Sequence, residues 1–448
     1  MNTASLLGSY HPENALAWQN GQPITYSRFL SEVAALADRL PAIPTVINLA
    51  DDRYRFLVGF AAALVRGQTT LLPPSRAPRA LAQIARACGS SYCLADGLET
   101  VEGIPAFQFP VGEWSAAPNP KVPQIPLDHP AAVAFTSGST GNPRPNPKTW
   151  GSLVSIARST GARLGLKASD HTTVVATVPH HHMYGLEASI MLPIQQGMAF
   201  HVGRPLFPEN VRLALAEVPA PRILVTTPLH IRACVTASSR LPHVECILSA
   251  TAPLPVSLAK QAETMFETSV YEVYGFTEAG SLATRRTVAG ETWHVLDGIA
   301  LHQESDRYFL QAPYLPQAIP FPDLVSLQGP HQFVLHGRGT DLVNICGHRG
   351  SLGDLNHKLC AIEGVQDGTF FLPDDTGTSV TRLMAFVVAP GKSAKQVLSA
   401  LREIIDPVFL PRPLHVVPTL PRNQTGKLTR EALLGLMHEL HGEGRHGD

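Results

Sequence analysis

The feature that most constrains this sequence is a predicted buried strand that runs directly into a loop of hydroxyl residues and glycines. Residues 131–135 are apolar, and residues 136–141 read Thr-Ser-Gly-Ser-Thr-Gly. Glycines allow backbone N–H groups to approach an anion closely, and hydroxyl groups add further donors. Lys148 supplies a positive charge suited to the outer phosphates of a nucleotide. The Gly-Lys-Ser/Thr ending of a Walker loop is missing, so the pattern favours another kind of phosphate-binding loop, with a Ser/Gly-rich surface turn as the alternative.

Helix and strand patterns alternate on both sides of this loop. Short apolar or β-branched runs predict strands at residues 45–49, 70–72, 92–94, 131–135, 173–178, 198–202, 223–226, 246–249 and 270–274. Helical spacing of apolar residues predicts helices at residues 30–40, 56–65, 80–87 and 149–164. Alternation of this kind predicts an α/β fold, with a large N-terminal domain of doubly wound parallel sheets and helices.

Four polar or aromatic segments follow predicted strands. They are the loop at 136–141, Pro-His-His-His-Met-Tyr-Gly at 179–185, Ala-Thr-Ala-Pro at 250–253 and Tyr-Gly-Phe-Thr-Glu at 274–278. Ligands of open parallel sheets bind beyond the carboxyl ends of the strands, so we expect these segments to form one site. Three adjacent histidines raise the question of a metal site, but no Cys or carboxylate stands nearby at ligand spacing. We therefore expect the histidines to form a pocket wall against a flat substrate.

A second, smaller domain is predicted after residue 337. Strand patterns at 342–345, 370–372, 384–388 and 415–417 and helical patterns at 397–405 and 428–437 indicate a small α+β domain. Lys427 lies in this part of the chain, directly after Gly426. We predict an N-terminal domain of residues 1–337 that binds the substrates, a hinge at residues 338–341 and a mobile C-terminal cap of residues 342–448.

Composition excludes several classes of protein. A formal net charge of −1 over 448 residues is unlike a polycation that binds nucleic acid. The six cysteines are scattered without C-x-x-C spacing, which is typical of reduced thiols. The first residues lack the basic and apolar regions of a signal peptide, and no apolar run has the length of a membrane span. We therefore expect a cytoplasmic protein with no nucleic-acid partner and no membrane span.

Taken in order, the polar segments resemble the motifs of the superfamily of acyl-adenylate-forming (AMP-binding) enzymes. The matching segments are the Ser/Thr/Gly loop with Lys148, Pro-x-x-His-x-x-Gly at 179–185, the segment beside adenine at 249–254, Tyr-Gly-x-Thr-Glu at 274–278, Asp323, Gly-Arg at 337–338 and Pro-Arg-x-x-x-Gly-Lys at 421–427. The resemblance implies an ATP-dependent acid–thiol ligase that uses Mg²⁺. In such an enzyme a carboxylate attacks the α-phosphorus of ATP, pyrophosphate leaves, and the acyl group then passes to a thiol.

The same resemblance implies a role for each matched residue. The nucleotide would contact Thr136, Ser137, Gly138, Ser139, Thr140, Gly141, Lys148, Ser249, Ala250, Thr251, Ala252, Tyr274 and Gly275, with the ribose on Asp323 and Arg338. Thr277 would hydrogen-bond the α-phosphate, and Glu278 would bind Mg²⁺, which prefers carboxylate oxygens. Lys427 would neutralise charge on the carboxylate and the α-phosphate. The acid would lie among His181, His182, Tyr184, Ala250, Thr251, Gly275 and Phe276, where aromatic rings and a small wall suit a planar ring better than a long chain.

Several positions depart from the superfamily pattern, and the segment Trp-His-Val-Leu-Asp-Gly at 293–298 points to a subgroup. Lys148 follows an intervening Arg-Pro-Asn-Pro, and Ala250 and Thr251 replace the two glycines beside adenine. The hinge position, usually Asp or Lys, is Thr340. The chain resembles in particular the ligases of bacterial aryl-polyene pigment pathways. That resemblance implies a 4-hydroxybenzoate-like acid as substrate and the phosphopantetheine thiol of an acyl carrier protein as acceptor.

The sequence leaves two alternatives open. An aryl- or acyl-CoA synthetase would use coenzyme A as the acceptor, and a non-catalytic nucleotide-binding homologue would keep the fold without the reaction. The presence together of Thr277, Glu278, Asp323, Arg338 and Lys427 argues against the second alternative. A dehydrogenase is disfavoured because no G-x-G-x-x-G follows a predicted strand.

Overall fold

The computed structural model describes residues 2–97, 103–110, 121–137, 143–167, 171–305, 307–338, 342–345, 348–373, 383–423 and 426–443. The strands are β1 (Thr3–Ser5), β2 (Ala15–Gln19), β3 (Gln22–Thr25), β4 (Thr45–Asn48), β5 (Thr69–Leu72), β6 (Ser91–Ala95), β7 (Ala106–Gln108), β8 (Gln124–Pro126), β9 (Pro130–Ser137), β10 (Pro143–Thr149), β11 (Thr173–Ala176), β12 (Ala199–His201), β13 (Arg222–Thr226), β14 (Cys246–Ser249), β15 (Ser269–Phe276), β16 (Gly280–Arg286), β17 (Thr292–Val295), β18 (Ala300–Glu304), β19 (Arg307–Gln311), β20 (Ile319–Pro320), β21 (Asp323–Gly329), β22 (Gln332–Arg338), β23 (Leu342–Ile345), β24 (His348–Ser351), β25 (Asp367–Phe371), β26 (Met384–Val388) and β27 (Leu414–Val416). The helices are α1 (Tyr26–Ala37), α2 (Arg53–Val65), α3 (Pro78–Cys88), α4 (Trp150–Arg163), α5 (Met183–Leu186), α6 (Leu192–Gln196), α7 (Pro208–Glu217), α8 (Pro228–Thr236), α9 (Val256–Phe266), α10 (Leu352–Ala361), α11 (Ala394–Arg402) and α12 (Arg430–Glu443), with a π-helical turn at Glu187–Met191. Among these described residues, none of the helices is long and apolar enough to cross a membrane.

Two large sheets form the N-terminal part of the chain. The first has the strand order β10-β9-β5-β4-β6-β7, and its neighbours are parallel except for the edge pair β10 and β9. The second has the order β21-β22-β17-β16-β15-β14-β13-β11-β12-β2-β3, and its central run from β15 to β2 is parallel. Antiparallel strands extend this run at both ends. The predicted α/β fold with parallel sheets is therefore confirmed, with antiparallel additions that the alternation of helices and strands did not predict.

Alternate residues of the central strands face opposite layers of helices. On β11, Val174 belongs to the core between the two sheets, whereas Val175 belongs to the core on the other side of the second sheet. The first core includes Phe56 and Phe60 of α2 and Trp150 of α4, all fully buried. The second core includes residues of α7, α8 and α9. Helices thus cover both faces of the parallel strands. This cover is needed because neither face of these strands is polar enough to contact water.

Helix α2 begins at Arg53, before the start that its apolar pattern predicts. Asp52 caps the helix, since its Oδ1 accepts a hydrogen bond from the Arg55 N–H at 2.7 Å. The Arg53 side chain is only 1% exposed and donates to four backbone oxygens at and just beyond the ends of β11 and β12, at 2.8 to 3.2 Å. This buried guanidinium ties the ends of two strands of the second sheet to a helix that also covers the first sheet.

The C-terminal part of the chain has hydrophobic clusters of its own. Strands β23 and β24 form a hairpin, and β25, β26 and β27 form a sheet that packs with α10, α11 and α12. Both clusters consist of residues after position 342 in the part of the chain that is described. Separate packing of this kind agrees with the small α+β domain predicted from the sequence. Residues 339–341 of the predicted hinge lie outside the described residues, and the domain boundaries stay a prediction.

The segment expected to complete the phosphate loop forms a strand instead. β10 lies at the edge of the first sheet and pairs antiparallel with β9, with Arg144 opposite Thr136 and Lys148 opposite Ala132. Prolines at 143, 145 and 147 alternate with residues that carry an N–H group, an arrangement that an edge strand tolerates. Lys148 therefore extends from a rigid strand and not from a loop.

Candidate active site

The predicted site segments meet at one edge of the second sheet. Residues 180–184 follow β11, residues 250 and 251 follow β14, and residues 277 and 278 follow β15. Because β11, β13, β14 and β15 are parallel neighbours, their carboxyl ends lie at the same edge. Lys148 reaches this edge from the first sheet, where its Nζ donates to the backbone oxygen of Glu278 at 2.7 Å. The structure thus brings together segments that are separated by up to 130 residues in the chain.

The histidine segment is held as a tight turn. The His182 N–H donates to the Pro179 oxygen at 3.2 Å. Gly185 is required here, because a Cβ atom at this position would lie 1.9 Å from the same Pro179 oxygen. The ring centroids of His180 and His181 are 5.4 Å apart, and those of His181 and His182 are 4.7 Å apart. The three imidazoles therefore form one continuous wall.

Burial keeps the imidazoles of His181 and His182 uncharged at neutral pH. It lowers the pKa of His181 to about 3, with further lowering by the nearby charges of His182, Arg76 and Arg204. Burial also lowers the pKa of His182 to about 4, and the charges of Lys427 and Arg204 act in the same direction. The Nδ1 atom of His181 is buried without a hydrogen-bond partner among the described residues. A neutral imidazole offers one donor and one acceptor, which suits a hydrogen bond to a polar substituent of a substrate.

The segment after β14 has a backbone conformation that its sequence does not favour. Thr251 has a φ of +79°, in the left-handed region that β-branched residues rarely adopt. This conformation accounts for the glycine that the superfamily has at the position. The Oγ1 of Thr251 and the Oγ of Ser249 are buried without a partner in the described part of the chain. Ala250 and Ala252 flank Thr251 with small, apolar side chains. The hydroxyl groups of Ser249 and Thr251 are therefore the side-chain polar groups that residues 249–252 offer to a ligand.

Tyr184 and Gly275 shape the site through backbone contacts. The Tyr184 hydroxyl donates to the Leu248 oxygen of β14 at 3.0 Å, and burial raises the pKa of the phenol. A Cβ atom at Gly275 would lie 2.3 Å from the Gly280 oxygen, so the two ends of the turn after β15 approach closely only because residue 275 is glycine. Since the phenol is engaged within the fold, Tyr184 contributes a surface to the pocket and no spare donor.

Tyr274 fixes the carboxylate predicted to bind ribose. Its Oη donates to Asp323 Oδ2 at 2.5 Å. The tyrosine ring packs in an aromatic cluster with centroid distances of 5.5 to 5.8 Å to Trp293, Phe321 and Phe333, and Phe276 joins this cluster edge-on against Phe321. In the register of β21 and β22, Asp323 stands opposite Arg338. The two predicted ribose-binding positions are therefore neighbours.

Thr277 and Glu278 lie in a turn that is held from two sides. Lys148, only 3% exposed, bonds the Glu278 oxygen as described above. Glu187, only 4% exposed, accepts hydrogen bonds from the Ser281 N–H at 3.0 Å and from the Ser281 hydroxyl at 2.5 Å. Glu278 itself is exposed at the sheet edge. The backbone of the turn is thus fixed while its carboxylate faces outward.

Lys427 reaches the same edge from the C-terminal part of the chain. A Cβ atom at Gly426 would lie 3.8 Å from the hydroxyl oxygens of Thr227 and Thr251, so this loop rests on the segments after β13 and β14. The charge of Lys427 contributes to the lowered pKa of His182, which puts the ammonium group near the histidine wall. Residues predicted from both parts of the chain therefore face one another.

Some predicted site residues cannot be compared with the structure. Residues 138–141 of the phosphate loop lie outside the described residues, and only the backbone is described for Thr136, Ser137 and Arg338. Sequence reasoning also missed Glu187 and its partner Ser281. The signal was a single acidic residue in the largely apolar stretch 186–194, since an acid in such a stretch needs a buried partner.

The residues at this edge fit a nucleotide with Mg²⁺. An exposed carboxylate at Glu278 is the type of ligand that Mg²⁺ prefers, next to the Thr277 hydroxyl. The unpartnered hydroxyls of Ser249 and Thr251 can meet polar atoms of a base or an acid. In the described part of the chain no cluster of three or more His, Cys, Asp or Glu residues is arranged to hold a metal ion by itself. Mg²⁺ would therefore be held jointly by Glu278 and the phosphates.

Comparisons with known proteins show the family and the fold of the chain. A family model described as AMP-binding enzyme matches residues 8–299. The 4-coumarate–CoA ligase of Rhodobacter capsulatus is 29% identical over 300 residues, which cover 66% of this chain and 74% of that protein. The 4-coumarate–CoA ligase of Halorhodospira halophila is 29% identical over 320 residues, which cover 67% and 75%. An o-succinylbenzoate–CoA synthetase structure from Bacillus subtilis, in complex with its acyl-adenylate intermediate, superposes with a TM-score of 0.77 at 18% identity, covering 94% of this chain and 95% of that one. An anthranilate–CoA ligase structure in complex with anthranoyl-AMP superposes with a TM-score of 0.78 at 17% identity, covering 95% and 94%, and these two likenesses show the fold.

Proposed function

This chain belongs to the family of AMP-binding enzymes, and we propose that it activates an aromatic carboxylic acid as an acyl-adenylate and transfers the acyl group to the thiol of a carrier protein. The enzyme is an ATP-dependent acid–thiol ligase. The observation that carries the finer proposal is the meeting of Lys427, the histidine wall and the Thr277–Glu278 turn at one sheet edge. A nucleotide-binding protein without a reaction would not need a lysine from the C-terminal part at this place.

In the first half-reaction, a carboxylate oxygen attacks the α-phosphorus of ATP. The bond between the α-phosphorus and the bridging oxygen breaks, and pyrophosphate leaves with the electron pair. Negative charge spreads over the phosphoryl oxygens in the transition state, where the Lys427 ammonium would stabilise it. Thr277 would orient the α-phosphate, and Glu278 would hold Mg²⁺, which neutralises phosphate charge when bound. The hydroxyls of residues 136–140 would position the outer phosphates.

The nucleoside would lie between the segments after β14 and β15. Asp323 and Arg338 would bind the ribose hydroxyls, and the hydrogen bond from Tyr274 holds the aspartate in place for that contact. The small side chains of residues 250 and 252 leave room for a flat base beside the sheet edge. These roles rest on the placement of the residues together with the resemblance described above.

An aromatic acid suits the wall formed by the histidines. We propose that the neutral imidazoles of His181 and His182, the ring of Phe276 and the side chain of Thr251 would line a slot for a flat ring. The relatives described above are named for aromatic acids. A ring hydroxyl would satisfy one of the two polar atoms, His181 Nδ1 or Thr251 Oγ1, that lack a partner among the described residues. We therefore propose a 4-hydroxybenzoate-like acid, used in the cytoplasm for a pigment of the xanthomonadin or aryl-polyene type.

The second half-reaction requires Lys427 to move away from the site. We propose that residues 1–337 form one domain, that residues 338–341 act as a hinge and that residues 342–448 rotate as a cap after adenylation. The separate hydrophobic clusters of the C-terminal part support rotation as a unit. The attacking sulfur would then displace AMP from the acyl carbon, and the proton of the thiol would leave to solvent.

A carrier protein is the proposed acceptor, and coenzyme A is the second candidate. Names of the relatives favour coenzyme A. Carrier proteins are commonly acidic, and Arg402 and Arg412 are exposed on the C-terminal part. Arg422, which also lies in this part of the chain, is paired with Asp367 at 2.8 Å. Docking through exposed arginines would be sensitive to salt, because such charges are screened over about 8 Å at physiological ionic strength.

Acid-dependent exchange of labelled pyrophosphate into ATP tests the first half-reaction. Among benzoates, cinnamates and medium-chain fatty acids, 4-hydroxybenzoate should give the fastest exchange. Faster exchange with octanoate than with 4-hydroxybenzoate would overturn the proposal of an aromatic substrate. If no acid supported exchange, the alternative of a non-catalytic nucleotide-binding homologue would be favoured.

Thioester formation on a holo-carrier protein and on coenzyme A, at matched concentrations, tests the acceptor. The carrier protein should be loaded faster, and its advantage should shrink at high salt. Faster loading of coenzyme A at every salt concentration would make the protein an aryl-CoA synthetase.

A further inference from the structure

Lys148 and Glu187 are two buried charged residues for which the reaction described above leaves no direct role. Lys148 extends from the edge strand β10, and Glu187 from the π-helical turn after α5. Both side chains are less than 5% exposed. Burying a charge without a partner is strongly unfavourable, so two such groups at the edge of the site require an explanation.

Both residues bond the backbone of the turn that carries Thr277 and Glu278. Lys148 donates to the Glu278 oxygen at 2.7 Å, in the middle of the turn. Glu187 Oε2 accepts from the N–H and the hydroxyl of Ser281, the second residue of β16. The chain is thus held at Glu278, directly after Thr277, and again three residues later at the start of the next strand.

Gly280 allows Glu187 to lie directly against this turn. It has a φ of +81°, and a Cβ atom there would lie 2.4 Å from Glu187 Oε1. The Oε1 atom has no hydrogen-bond partner among the described residues. Burial lowers the pKa of Lys148, and the negative charges of Glu187 and Glu278 oppose part of this effect. Burial likewise raises the pKa of Glu187, and the charge of Lys148 acts in the opposite direction. The two residues therefore interact electrostatically as well as through the turn.

We propose that Lys148 and Glu187 are positioning residues that hold the Thr277–Glu278 turn in the geometry that receives the α-phosphate and Mg²⁺. This inference rests on the proposed adenylation reaction. It assigns Lys148 to the turn and not to the outer phosphates, for which the sequence alone had favoured it. Arg144 lies on the same face of β10, is exposed and stands opposite Thr136, the first residue of the predicted phosphate loop.

The test compares five enzymes in pyrophosphate exchange and in metal binding. They are the wild type, Lys148→Met, Lys148→Arg, the double variant Lys148→Met/Glu187→Gln, and Lys260→Met as a control that removes an exposed lysine of α9. Exchange gives kcat and the KM for ATP. Electron paramagnetic resonance gives the affinity for Mn²⁺ of each enzyme saturated with a non-hydrolysable ATP analogue, a readout that needs no acid substrate.

Lys148→Met should lower kcat and the Mn²⁺ affinity by about 10- to 100-fold, the usual range when a partner of a metal-site group is removed. The KM for ATP should change much less, and Lys148→Arg should recover part of the loss because a charged donor is kept. The double variant removes both buried charges, so it should fold even if Lys148→Met does not, and it should remain slow. Lys260→Met should match the wild type.

Two results would overturn the positioning role. A raised KM for ATP with unchanged kcat and Mn²⁺ affinity would assign Lys148 to the phosphates directly. A double variant with wild-type kcat would show that the two charges only balance each other. If the wild type catalysed no pyrophosphate exchange with any of the acids tested, the proposed function would fail. The Mn²⁺ affinities would still decide the role of Lys148.

Discussion

Replacement of Thr251 by glycine should stabilise the enzyme and widen its acid pocket. A left-handed conformation costs an L residue about 1–2 kcal/mol, and a buried hydroxyl without a partner costs about 1–3 kcal/mol. Thr251 has both features, with a φ of +79° and an Oγ1 that is unpartnered among the described residues. Glycine removes both costs but loses about 0.8 kcal/mol for the buried methyl group and about 0.5–1 kcal/mol for backbone entropy. The expected balance is a stabilisation of about 2 kcal/mol.

Thermal unfolding of the wild type, Thr251→Gly and Glu267→Gly measures this effect. Glu267 is a matched control, because it ends α9 at a φ of +50° and its side chain is exposed. Thr251→Gly should raise Tm by about 2 °C and Glu267→Gly, which removes only the backbone cost, by about 1 °C, since the shift per kcal/mol is small in a large domain. In pyrophosphate exchange only Thr251→Gly should change the preference among acids. The ratio of the exchange rate with 4-coumarate to that with 4-hydroxybenzoate should rise, because the smaller side chain at residue 251 leaves more space beside the ring.

Either half of this reasoning can be refuted separately. If Thr251→Gly lowered Tm while Glu267→Gly raised it, the contacts of the threonine would outweigh its backbone strain. If the ratio of exchange rates for the two acids stayed unchanged, residue 251 would not border the acid.

Three further outcomes are expected. Lys427→Ala should slow adenylation by about 10²–10³-fold, because a charged donor to the transition state is lost, while thioester formation from supplied acyl-adenylate should slow far less; equal slowing of both steps would contradict the two-arrangement mechanism. Gly185→Ala should lower stability by about 1–3 kcal/mol, since the new Cβ would lie 1.9 Å from the Pro179 oxygen, and an unchanged Tm would count against this contact. The pKa values of His181 and His182 are about 3 and about 4 in the folded protein against 6.5 ordinarily, so the unfolded state takes up protons first, and their contribution to stability is complete above pH ~6.5 and is lost as the pH falls to ~4. Urea unfolding between pH 7.5 and pH 4 should show this loss, and a His181→Gln/His182→Gln variant should show less of it.

The parallel core could be predicted because its strands are apolar on both faces. Strand β14 occupies the residues 246–249 that the apolar run indicated, and the segments after β11 and β15 lie at the expected sheet edge. Strand β10 could not be predicted, because alternate prolines argue against a strand until the position at a sheet edge is known.

The contacts that hold the site were beyond sequence reasoning for a different reason. Glu187 and Ser281 are 94 residues apart, and Lys148 and Glu278 are 130 residues apart, so no local pattern relates the partners. The sequence predicted a phosphate contact for Lys148 because lysine is a common phosphate ligand. It could not reveal that the ammonium donates to the backbone oxygen of Glu278. Likewise, the sequence showed that Thr251 stands where the superfamily has a glycine. It did not show that the backbone of Thr251 keeps a left-handed conformation.

The prolines of β10 also affect how copies of this enzyme meet in solution. Backbone N–H groups of an edge strand point alternately toward the neighbouring strand and away from the sheet. Proline at positions 145 and 147 leaves the outward positions of β10 without donors, because the residues between them complete the ladder with β9. An edge without donors is a poor template for a strand from another molecule, so it resists edge-to-edge aggregation. We therefore expect two copies of the chain not to pair through this edge of the first sheet, even in a concentrated solution of the protein.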